Sequence, residues 1–146
     1  VLAGQILGAR DGASEQALRR VGLAHGLTGM MRAMPILLQM RRAVLTLEGM
    51  EAAGLGQEEA QLLRGSPALR IAVKASVRRA EDALRAARQA ARKADPATRP
   101  LFALAAMARH AANRLRRAAY DPFAPAMAPQ NHLPVGVSLR ILLGRW

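Results

Sequence analysis

Between Gly65 and Ala94 the chain runs GSPALRIAVKASVRRAEDALRAARQAARKA. Ser66 is a natural N-cap and Pro67 falls at the first helical position, where its fixed φ suits a helix and its missing N–H is no loss. Beyond that start, Val73, Val77, Ala80, Leu84, Ala87, Ala91 and Ala94 recur at alternating steps of four and three. This spacing predicts a helix over Pro67–Ala94 with a seam that packs against another helix. The seam is rich in Ala, so a neighbour approaches closely while each contact contributes little. The remaining faces carry Arg70, Lys74, Arg78, Arg79, Arg85, Arg88, Arg92 and Lys93 against Glu81 and Asp82.

The same grammar extends outward. Asp95-Pro96 ends this helix and caps the next, and Thr98–Tyr120 repeats the seam through Leu101, Leu104, Ala108, Ala111, Leu115 and Ala118. Two such helices joined by a short turn form an antiparallel hairpin. Upstream, Glu48–Leu63 reads as one or two short helices with turns, and Arg41–Leu47 as an ambiguous, extended exit. Gly8, Asp11 and Gly12 break the pattern after a short apolar start, and Ser14 is the expected N-cap of a helix running to about Met40. That helix shows two stripes: Leu18, Val21, His25, Thr28 and Arg32, and Leu23, Leu27, Met30, Met34 and Leu38. Two apolar-rich stripes predict burial on most sides. Gly22, Gly26 and Gly29 weaken the helix by about 1 kcal/mol each and leave room for another backbone or a ligand. Pro35 is expected to kink it or end a segment. Residues 121–134 hold Pro122, Pro125, Pro129 and Pro134 and form a connection before a short apolar helix, Val135–Trp146. No segment has a convincing strand period. The expected class is all-α, with residues 1–146 as one domain or half-domain.

Composition bounds the function. A chain of 146 residues, 51% of them apolar, is long enough for a core, although 32 are alanine and only four are aromatic. The absence of Cys excludes a disulfide scaffold, a Cys-ligated zinc site and a cysteine nucleophile. The net charge is +12, and all the basic residues except Lys74 and Lys93 are arginine. High genomic GC content would favour Ala, Arg and Gly codons together. Arginine forks also match phosphates and carboxylates, so the charge points to anionic partners: nucleic acid, anionic lipid, a diphosphate or an acidic protein surface. The longest apolar stretches, Val21–Met31 and Ala33–Met40, fall short of the roughly 20 residues a membrane span needs. Val1–Ala9 lacks the basic flank and the length of a signal peptide. The start at Val1, without Met, fits a processed product or a fragment.

Candidate chemistry is sparse. His25, His110 and His132 are far apart and lack metal-ligand spacing. Glu48 with Glu51, Glu58 with Glu59, and Glu81 with Asp82 read as solvated or salt-bridged pairs, without the spaced Asp-rich pattern of a magnesium-diphosphate site. No Walker-type phosphate loop is present. Arg32 stands out in an otherwise apolar, Gly- and Met-rich helix. If buried it needs a carboxylate, a carbonyl or a bound anion, since an unpaired buried charge costs several kcal/mol. Arg41 and Arg42 follow at the helix exit.

The run from Val21 to Pro35, VGLAHGLTGMMRAMP, resembles a signature helix of the squalene/phytoene synthase family, written G-x-A-x-x-L-T-N-I-L-R-D. Gly26–Arg32 carries the match. Arg41-Arg42-Ala43-Val44-Leu45 resembles the family's Arg-rich exit, and Tyr120-Asp121-Pro122-Phe123 the G-Y-D-x-F before the last helix of its non-catalytic branches. Leu139–Trp146 is similar to their C-terminal helix. The resemblance implies the C-terminal half of an isoprenoid synthase fold, from a family member roughly twice as long. It also implies two Asp-rich motifs that hold Mg²⁺ against prenyl diphosphates. Here the Asp positions of the second motif fall on Ala33 and Leu37, Gly29 replaces the usual Asn, and no counterpart of the first motif is visible. Ala for Asp with Pro35 following looks like the divergent branch that includes a mitochondrial complex I assembly factor and its α-proteobacterial relatives.

Three functions are therefore weighed. The first is a non-catalytic module of a larger, respiratory-type protein complex, in a mitochondrial matrix or bacterial cytoplasm and possibly at a membrane, with no cofactor. The second is part of a prenyl transferase completed by a chain carrying the N-terminal half. The third is a basic subunit binding RNA or an anionic membrane through its Arg-rich helices. Arg32, Arg41 and Arg42 are the candidate anion or diphosphate ligands. Leu27, Met30, Met31, Met34, Leu38, Tyr120, Phe123 and Trp146 are the candidate partner interface. The apolar Val21–Met40 helix, with only two other long helices to cover it, predicts a chain that needs a partner.

Overall fold

A computed structural model describes residues 2–8, 11–40, 42, 45–54, 66–128 and 135–142. Along the chain the helices are α1 (Leu2–Ile6), α2 (Gly12–Gln39), α3 (Leu47–Ala53), α4 (Pro67–Ala90), α5 (Ala103–Arg117) and α6 (Val135–Leu142). Short 3₁₀ segments occupy Ala91–Lys93, Pro96–Phe102 and Pro125–Met127. All regular structure among the described residues is helical, as the sequence predicts.

The start of α4 follows its local chemistry. Ser66 Oγ accepts the Leu69 N–H at 3.1 Å with Pro67 behind it. The predicted seam is the buried one: Val73, Val77, Ala80, Leu84 and Ala87 are all in the core, with Ala91 and Ala94 packed at its edge. Asp95 caps the next segment by accepting the Ala97 N–H at 2.8 Å. That segment begins as a 3₁₀ helix rather than an α-helix, and this corrects the second seam. A 3₁₀ helix has three residues per turn instead of 3.6, so Leu101 does not continue the α-helical spacing, and within α5 the buried face is the neighbouring stripe. Phe102, Ala105, Ala108, Ala112 and Leu115 are buried, while Leu104 is exposed and Ala111 only half-buried.

α2 packs against both α4 and α5. At one end of the bundle Ala17, Val21 and Ala24 meet Ala80, Ala83, Ala87, Phe102 and Ala105. At the other, Met31 and Met34 meet Leu69, Val73, Ala112 and Leu115. α4 is therefore antiparallel to both α2 and α5. The start of α2 differs from expectation. Asp11 is the cap, accepting the Ser14 N–H at 2.7 Å, and Ser14 itself is buried one turn inside. Pro35 lies within α2 and does not end it.

The expectation that α2 is buried on most sides is also corrected. Ala17, Val21, Ala24, Leu27, Thr28, Met31 and Met34 form one buried face that draws on both predicted stripes. Leu23 and Ile36 are exposed, His25 is half-buried at the margin, and a Cβ on Gly22, Gly26 or Gly29 would meet open space. The close approaches that need glycine lie elsewhere. At Gly49, where α3 crosses α4, a Cβ would stand 3.0 Å from the Ala72 carbonyl oxygen and 3.0 Å from Thr46 Oγ1. Thr46, which sequence reading passed over, is the α3 cap, accepting the Gly49 N–H at 3.1 Å.

Candidate functional site

α5 ends in a tight reversal that shapes the candidate site. The Tyr120 N–H reaches back to the Leu115 carbonyl at 2.8 Å and the Ala119 N–H to the Arg116 carbonyl at 3.1 Å, the bonding of a Schellman motif. Ala119 and Tyr120 both take positive φ, 51° and 60°. The left-handed region costs a non-glycine residue roughly 1–2 kcal/mol, so packing beyond the turn must hold it. Asp121 supplies part of that hold, accepting Arg70 at 2.9 Å and the Phe123 N–H at 2.9 Å. Arg114 donates to the carbonyls of Ala126 and Ala128, the latter at 2.9 Å. Met127 and Pro122 are buried.

This anchored segment runs beside the C-terminal half of α2 and leaves a groove of about 500 Å³ between them. α2 contributes Arg32, Ala33, Pro35 and Ile36, and the segment contributes Phe123 and Met127 among others. The volume suits a small-molecule or peptide side-chain site. Among the described residues of the lining, Arg32 is the only ionisable one. Those residues offer an apolar wall with one cation at its margin, and no acid, base or nucleophile among them.

The structure separates the candidates drawn from sequence. Arg32 is exposed, not buried as the sequence context implied, and makes no ion pair with a described residue. Its long stem lets the guanidinium reach water from an apolar helix. Arg42 is exposed, and Arg41 and Trp146 lie outside the described residues, as does the side chain of Leu38. Leu27, Met31 and Met34 are core residues and present no surface to a partner. Met30, Tyr120 and Phe123 are half-buried against that core. Of the interface candidates, Phe123 lines the groove with Arg32.

The described carboxylates of the three pairs are solvated or salt-bridged, as the sequence reading expected, with Glu51 exposed. Glu48 pairs with Arg79, Asp82 with Arg85, and Glu81 with Arg116 at 3.8 Å. Glu58, Glu59 and His132 lie outside the described residues. No cluster of three His, Asp or Glu side chains occurs among the described residues. Sequence reasoning missed Met127 and Arg114. Only the run of prolines hinted at a segment stiff enough to line a groove.

Compared with known families, the chain matches the sequence model described as squalene/phytoene synthase over residues 1–139. No curated protein and no solved structure matches it.

Proposed function

The chain belongs to the squalene/phytoene synthase family, and from that premise we propose that it is a non-catalytic module serving as a structural or assembly component of a larger, respiratory-type protein complex. One observation carries this reading. Ala33, where the resemblance puts a metal-binding Asp, lines the groove beside Arg32 in an apolar wall. A methyl group at position 33 and an isobutyl group at Leu37 cannot ligate a cation, so these residues do not fit the Mg²⁺ of the family's enzymes. The nearest acid in the chain segment opposite, Asp121, is held by Arg70 and by the Phe123 amide.

The partner part of the reading is supported by the far face of α2. Leu23 and Ile36 are exposed there, and Gly22, Gly26 and Gly29 leave a surface without side chains on which another helix can lie close. The respiratory setting is supported by the resemblance of Leu27–Pro35 to the branch that includes a complex I assembly factor.

The test is thermal melting and light scattering of the chain with and without Mg²⁺ plus farnesyl diphosphate. A ligand at a hundred times its Kd stabilises the folded state by about 2.7 kcal/mol. No magnesium-dependent rise in Tm is expected. Such a rise would move the chain to the enzyme reading. A monodisperse, cooperatively melting chain would count against the need for a partner.

A further inference from the structure

Helical phase collects the positive charge of this chain. Arg70, Lys74, Arg78, Arg85 and Arg88 lie along one face of α4 and are exposed. They span about 27 Å at 1.5 Å per residue, and Arg92 extends the line into the following 3₁₀ turn. This face borders α5. Between the two helices lies a polar groove of about 370 Å³, where Arg85 meets Arg109, Asn113 and Arg116 over Leu84 and Ala112. Among the described residues, Glu81, Asp82 and Asp121 pair with Arg116, Arg85 and Arg70, and the strip keeps an excess of basic over acidic side chains. Arg78 and Arg92 have no ion pair with a described residue.

We propose that this α4–α5 face docks on the anionic surface of a phospholipid bilayer, an interaction independent of the assembly reading above. Charge complementarity is the primary argument. Each basic side chain near an anionic leaflet contributes about 1 kcal/mol, or roughly fivefold in affinity. The surroundings favour a bilayer over a nucleic acid. Single-stranded RNA is held by aromatic stacking as well as by charge. The chain has only four aromatic residues, and the Tyr120 ring beside this strip already faces Lys74 Nζ at 5.8 Å. Ile71 stands beside Arg70 and is 48% exposed. It gains by entering the headgroup–acyl boundary and has nothing to gain on a sugar-phosphate backbone. Arg and Lys stems are themselves apolar and suit the same boundary. Among the described residues no helix is long and apolar enough to cross a membrane, so the contact is one of surface attachment.

The test is vesicle flotation of the whole chain. One set of vesicles is pure phosphatidylcholine, and the other is equal parts phosphatidylcholine and phosphatidylglycerol. The chain is expected to float with the anionic vesicles alone and to be released by salt, which screens exposed charges. Arg78→Gln with Arg92→Gln should weaken binding about 25-fold, taking the fivefold contribution twice. Arg20→Gln with Arg79→Gln removes the same charge from other faces, and this pair should bind as the wild type does. Far-UV circular dichroism confirms that both pairs fold. Failure to bind anionic vesicles overturns the proposal. So does equal weakening by both pairs, which would mean that net charge acts without the strip. Tighter binding to a double-stranded RNA that displaces the vesicles overturns it in favour of nucleic acid.

Discussion

Ser14 and Asp95 stand 81 residues apart in the chain, and the Ser14 hydroxyl oxygen accepts the Asp95 backbone N–H at 2.8 Å. The same hydroxyl donates to Asp11. One fully buried side chain therefore ties the first turn of α2 to the turn that joins α4 and α5. Ser14→Ala leaves the Asp95 amide without this acceptor and removes a donor from the Asp11 carboxylate. The expected cost is about 1–3 kcal/mol, read as a lower midpoint in urea unfolding at an unchanged slope.

Asp11 carries a pH dependence of definite sign. The hydrogen bonds from the Ser14 hydroxyl and then the Ser14 amide hold its carboxyl below the ordinary value of 3.8. Lowering in the folded state means that ionised Asp11 stabilises the fold above the unfolded value, and that this stability is lost as pH falls toward the folded one. Asp11→Asn should therefore flatten the decline of Tm below about pH 4, relative to the wild type. A parallel decline in both proteins would show that the cap does not titrate with folding.

The phase of α5 is open to a paired measurement. Leu115 is fully buried between α2 and α4, whereas Leu104 is exposed. Leu115→Ala should cost about 2–5 kcal/mol. Leu104→Ala should stay within about 0.5 kcal/mol. Similar losses from the two would restore the seam that sequence spacing alone predicts.

Two glycines should respond in opposite directions. Gly49→Ala pushes a methyl group against the Ala72 carbonyl oxygen, which is backbone, and against the capping Thr46 hydroxyl. A loss of about 1–3 kcal/mol is expected from the overpacking. At Gly22 the added methyl meets open space, and Gly22→Ala should gain up to about 1 kcal/mol through helix propensity. Thermal melts of the two variants decide the matter. A loss at Gly22 would mean that the isolated chain already packs something against that face.

Sequence by itself determined the helical class, the Ser66–Pro67 start, the buried seam of α4 and the Asp95 turn. Each of these rests on neighbours within one or two turns, where capping bonds and helical spacing act. It also carried the resemblance that sets Ala33 and Leu37 at the positions where the family's motif has carboxylates, since that likeness is written in residue type. Tertiary structure alone decided which face of α2 is buried. Apolar residues lie all around that helix, and periodicity has no preference among them until α4 and α5 dock on one side. It decided which face of α5 is buried as well, because Ala and Leu occupy neighbouring stripes of that helix and only docking on α2 and α4 selects Ala105 and Ala112 over Leu104 and Ala111. The groove beside Arg32 and the Ser14–Asp95 tie join segments distant along the chain. Their geometry follows from how the helices pack and from the reversal at Ala119 and Tyr120, which packing must hold against the intrinsic preference of both residues.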